Sequence, residues 1–137
     1  MGTLASGLTE IVAGEESLAR FLTSSSHFNS TMVKPAVFMP EPNGRETSVF
    51  RHGHEPRAEL WAIAMANAAQ GRNVHGAALL KAQDVRATGL EVVSDEPPSR
   101  HAAIRQLPWN ENDGEKRKAH HKELAILLAD KSDLVLK

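Results

Sequence analysis

The spacing of apolar residues along this chain predicts helices and strands in alternation. In "GEESLARFLTSSS", Leu18, Phe21 and Leu22 fall at i, i+3 and i+4. That spacing predicts a short first helix, with Glu15 and Glu16 at the positive end of its dipole and the serine run ending it. "KPAVFMP" and "ETSVFR" are short β-type runs, and Asn43-Gly44 between them is a hairpin signal. Residues 56–70 predict a first main helix. Pro56 suits its opening turn, Gly71 its C-cap, and Leu60, Trp61, Ala64, Met65 and Ala68 share one core-facing arc. From Gly76 to Lys81 the pattern is that of a strand, from Gln83 to Thr88 a brief helical turn closed by Gly89, and from Leu90 to Val93 a strand again, stopped before Pro97-Pro98. "RHAAIRQLPW" suits either a strand or one helical turn. A second main helix, about 116–130, places Leu124, Leu127 and Leu128 on one side, with His120 bordering that stripe.

These elements imply an α+β fold: a small antiparallel or mixed sheet of four to five strands, packed by the 56–70 and 116–130 helices and a shorter N-terminal helix. Glycines at 2, 7 and 14 with few apolar anchors make residues 1–14 a flexible lead or frayed helix. Residues 15–137 then form a single domain, which the length of 137 residues suits. Four Phe, two Trp and no Tyr within a 41% apolar content leave a core of Ala, Leu, Val and Ile.

Charge narrows what the surface can hold. Sixteen basic side chains stand against 17 acidic ones, so no general basic field attracts nucleic acid. The basic run "EKRKAHHKE" is diluted by Glu115 and Glu123, and any nucleic-acid affinity is expected to be weak and salt-dependent. The chain has no cysteine, which removes disulfides, thiolate metal ligands and cysteine nucleophiles. Its opening residues lack the charged and apolar regions of a secretory signal, and "LWAIAMANAA" is too short to span a bilayer. A cytoplasmic protein with no membrane partner is expected.

Candidate chemistry gathers in "SVFRHGHEPRAELW" and "PPSRHAAI". His52 and His54, two apart, would project from one face of a strand and could share a metal. The third ligand fails, since Glu59 lies inside the helix and Pro56-Arg57 take the places of the last two residues in the "HxHxDH" string of metallo-β-lactamases. No metal and no cofactor is expected. Arg100 and His101 follow a rigid Pro-Pro lead. Arginine grips a carboxylate or phosphate with two prongs, and histidine serves as a general acid or base near neutral pH. His75, before a glycine at a strand start, suits capping or packing. No "GxSxG" elbow, Walker A loop or "GxGxxG" occurs.

Arg51, His52, His54, Arg100 and His101 are therefore expected to form an anion-binding polar corner beside the N-terminus of the 56–70 helix, whose unpaired N–H groups point toward it. Such a corner suits a small bacterial-type accessory protein that binds a protein partner, or nucleic acid more weakly, over an enzyme. The alternative is a small hydrolase or phosphoryl-handling enzyme with His54 and His101 as candidate catalytic residues. Convergence of all five residues in space favours the enzyme, and scattering favours the binding protein.

Overall fold

The stretch expected as a first helix is a strand. In the computed structural model, which describes residues 2–40, 46–53, 55–67, 73–105, 107 and 114–137, Ser17–Leu22 forms β1. Leu18 and Leu22 turn to one face of it and Ala19 and Phe21 to the other, each toward an apolar cluster. A strand covered on both faces shows no polar alternation, so its residues can satisfy helical spacing by coincidence. Pairing decides the matter: β1 lies between Thr47–Arg51 (β2) and Gly76–Lys81 (β3), antiparallel to both.

Three further strands, Glu91–Ser94 (β4), His101–Arg105 (β5) and Asp133–Leu136 (β6), extend the sheet on either side. Among the described residues it is one antiparallel sheet of six strands in the order β4-β5-β2-β1-β3-β6, which corrects the expected four to five. The expected N-terminal helix became β1, and β6 was not foreseen. "KPAVFMP", expected as a strand, is instead a 3₁₀ turn, Pro35–Phe38, with Pro35 at its start and Val37 and Phe38 buried. Proline has no N–H to give a ladder, and its fixed φ suits a helical first turn. The Asn43-Gly44 turn and the Gly71 cap lie outside the described residues.

Three α-helices complete the described fold: Arg57–Asn67 (α1), Ala82–Arg86 (α2) and Gly114–Lys131 (α3). The larger core forms where α2, α3 and the 3₁₀ turn pack residues such as Val85, Leu128 and Phe38 against Leu18, Val49 and Ile104 of the sheet. α1 covers part of the opposite face, where Leu60 packs with Ala19, Ala77 and Val135. Both helices are rotated from their expected settings. α1 buries Leu60, Ile63 and Ala64, while Trp61 is half-buried and Met65 is 63% exposed. α3 buries His121, Leu124, Ala125 and Leu128, a complete i, i+3, i+4, i+7 stripe, and leaves His120 and Leu127 exposed.

One edge of the sheet is closed by side chains. The Asp95 N–H donates to the His101 carbonyl at 2.9 Å, so residues 93 and 95 face β5 and Val92 faces outward. The Val92 N–H donates to the Glu91 carboxylate at 2.7 Å, and its carbonyl accepts from Arg86 Nη2 at 3.2 Å. Arg86 and Glu91 are themselves paired at 2.6 Å. This ion pair occupies the outward main-chain groups of Val92, the middle of the edge strand, and so obstructs the addition of another strand there.

Two outcomes are expected. A Cβ at Gly76 would lie 2.5 Å from the Val135 carbonyl oxygen, so β3 and β6 cannot keep their spacing around a larger residue. Gly76→Ala should lower stability by about 1–3 kcal/mol in urea denaturation. The Glu91 carboxyl is held below its ordinary value of 4.5 by its bond to Arg86 and then by the Val92 N–H. Its stabilisation is therefore complete above that ordinary value and is lost as pH falls through the lowered one. Glu91→Gln should depress Tm near neutral pH, and the difference from wild type should close in acid; a gap independent of pH would contradict the ionised pairing.

Candidate functional site

Arg51 ends β2 and is the largest fully buried side chain among the described residues, 1% exposed. Its Nε donates to Glu16 Oε1 at 2.6 Å and its Nη2 to Glu16 Oε2 at 2.8 Å, a two-pronged pair. Nη1 donates to the Thr9 carbonyl at 2.6 Å and to Ser94 Oγ at 3.0 Å. The Ser94 hydroxyl donates in turn to the Glu10 carbonyl at 2.6 Å. An arginine taken out of water must recover its hydration through such bonds, and a carboxylate fork does this best. One guanidinium thus joins the start of β1, the end of β2, β4 and the segment of residues 7–10.

Arg100 stands beside it. The Arg51 N–H donates to the Arg100 carbonyl at 2.8 Å, and Arg100 Nε donates back to the Arg51 carbonyl at 2.8 Å. Arg100 Nη2 reaches the His52 carbonyl at 3.4 Å and lies 4.0 Å from the Glu55 carboxylate. Its backbone has φ 68°, a left-handed setting uncommon outside glycine. The Arg100 N–H donates to Glu96 Oε2 at 3.0 Å, which holds that turn. Burial works to raise the Glu96 carboxyl, but bonds from the Ser6 hydroxyl, the Arg100 N–H and the Ser6 N–H, with the charge of Arg51, bring it below its usual range.

The histidines go elsewhere. His101 pairs with Phe50 across the ladder, on the face opposite Val49 and Ala102, and sets its ring edge-on to Phe50 at 5.3 Å. Its Nδ1 lies 2.9 Å from the Asp95 carbonyl and 3.4 Å from the Asp95 carboxylate. Strand alternation therefore separates His101 from Arg51 although Arg100 is its neighbour in sequence. His52 is buried, with Nε2 3.4 Å from the Pro56 carbonyl and Nδ1 without a hydrogen-bond partner among the described residues. His54 lies outside the described residues. The sequence-predicted cluster thus comes together as Arg51, Arg100 and the His52 backbone, without the His101 ring.

A cavity of about 460 Å³ opens between residues 7–9 and this corner. Arg51, Arg100, Glu15, Glu16 and Glu55 bring the charge to its lining. Glu16 and Arg51 neutralise one another and Arg100 lies 4.0 Å from Glu55, so with Glu15 the lining has an excess of carboxylate. Among the described residues no group of three or more His, Asp or Glu side chains is placed to hold a metal ion. Sequence spacing missed the carboxylates: Glu16 was expected to serve a helix dipole, and Glu96 and Glu55 carried no motif. Comparison with known protein families, with curated proteins and with solved structures finds no match for this chain.

Removing one partner of a buried pair strands the other, whereas replacing both with apolar groups does not. Arg51→Ala should therefore cost about 3–5 kcal/mol in urea denaturation. Arg51→Met combined with Glu16→Leu should lose much less than the two single changes together. A cost under about 1 kcal/mol for Arg51→Ala, the range of exposed pairs, would show that the fork does not hold the strands together.

Proposed function

We propose that this chain is a small cytoplasmic interaction domain that receives a polypeptide partner at the cavity beside Arg51 and Arg100. One observation carries the proposal: the cavity presents a cation and carboxylates together, Arg100 against Glu15 and Glu55. Arg100 is anchored through Nε and Nη2, with its side chain 16% exposed. A guanidinium fixed in this way is pre-ordered for a carboxylate, so little side-chain entropy is lost on contact. Glu15 and Glu55 complement a lysine or arginine on the same partner. A polypeptide carries both charges within a few residues.

A polyanion is less well suited, because the carboxylate excess opposes phosphodiesters at the distances where Arg100 would attract them. For an enzyme, the candidate acid–base residue His101 would have to act from the far face of the sheet. Convergence of Arg51, His52, His54, Arg100 and His101 was the arrangement that favoured phosphoryl chemistry, and His101 lies with Phe50 on the other face. No helix among the described residues is long and apolar enough to cross a membrane.

Amide chemical shifts test the proposal. An end-blocked Asp-Gly-Lys peptide should move the amides of Thr9, Gly53 and Glu55, whereas inorganic phosphate at equal concentration should not. Arg100→Gln and Glu55→Lys, each checked for an intact melt, should both weaken the peptide response. A response to phosphate alone would favour phosphoryl handling, and no response to either probe would remove the cavity as a binding site.

A further inference from the structure

The two edges of the sheet are finished differently. At β4 the outward groups of Val92 are taken by Glu91 and Arg86. At β6 the Lys137 N–H donates to the His75 carbonyl at 3.1 Å, and the ladder sets Val135 against Ala77 and Asp133 against Leu79. Residues 133, 135 and 137 therefore turn their main-chain groups inward to β3, and Leu134 and Leu136 turn theirs outward. Among the described residues nothing bonds to those outward groups. The Leu136 side chain is 54% exposed on one face of the strand, and on the other the exposed Met65 lies 3.5 Å from Lys137 Nζ.

We infer that β6 pairs with β6 of a second copy of this chain, antiparallel, about a two-fold axis through Val135. The run Asp133-Leu134-Val135-Leu136-Lys137 is self-complementary in that register. Leu134 stands opposite the partner's Leu136, and these are the residues whose main-chain groups point outward, so each such pair exchanges two hydrogen bonds. Asp133 stands opposite the partner's Lys137, an opposite-charge pair that the symmetry makes twice. Leu136 gains an apolar cross-strand neighbour. Sliding the partner by two residues sets Asp133 against the partner's Val135 and loses both charge pairs. The same patch serves both copies, so assembly through β6 closes at two.

Sedimentation equilibrium over about 10 µM to about 1 mM, the range for a small interface, should show the mass rising from 14.9 kDa toward twice that value. Asp133→Lys places like charges opposite one another twice and should weaken the dimer about tenfold or more. Asp133→Lys with Lys137→Asp restores the opposite charges and should recover it. Leu136→Pro deletes an outward N–H that β3 does not use, and should abolish the dimer with the far-UV circular dichroism preserved. If that proline disturbs the fold, the charge swap decides. A monomer at every concentration, or a dimer indifferent to Asp133→Lys, overturns the inference.

Discussion

The buried fork between Arg51 and Glu16 is the constraint on which the architecture turns. Its partners come from separate parts of the chain: Glu16 ahead of β1, Arg51 at the end of β2, Ser94 at the end of β4 and the Thr9 carbonyl. A charged group with under a tenth of its surface in water has no tolerable state except a full complement of partners. Each of those segments must therefore arrive in register for the guanidinium to be buried at all. Residues 2–14 contribute neither a helix nor a strand to the sheet, yet they supply the Thr9 and Glu10 carbonyls and the Ser6 contacts with Glu96. The fork explains why such an irregular segment has a defined place.

The same corner links stability to the cavity. Arg51 is consumed in holding strands together, and its backbone carbonyl positions Arg100, which remains the cation of the lining. One arginine thus orders the other. The arrangement separates a structural charge from one placed to meet a ligand, and it does so within two hydrogen-bonded neighbours. The sheet shows a comparable division of labour, with β4 closed by Arg86 and Glu91 while β6 keeps outward main-chain groups beside exposed Leu136.

Local pattern was a good guide for most of the elements. β2, β3, β4 and the bodies of α1, α3 and the short α2 lie close to their expected spans. It failed in β1, whose apolar residues lie on both faces and whose Leu18, Phe21 and Leu22 also satisfy helical spacing. It missed β6, Asp133–Leu136, altogether. In the helices the larger residues suggested the facing, but α1 buries Ile63 in place of Met65 and α3 buries His121 and Ala125 in place of Leu127. Of the site, Arg51 and Arg100 were legible as a basic pair, but Glu16 lies 35 positions from Arg51 and carried no spacing that would connect them.

What the sequence alone determined is the class of the chain: an α+β domain with no cysteine chemistry, no general basic field, and arginines gathered near one strand-to-helix junction. Those properties follow from composition and from periods of two and 3.6 residues, which are local. Tertiary structure alone decided that Ser17–Leu22 is extended, that Arg51 is spent on Glu16, and that His101 turns away from the corner. Each of those outcomes depends on which strands lie side by side. Strand pairing joins groups far apart in the chain, and side-chain direction in a sheet changes face with every residue, so register settles what spacing cannot.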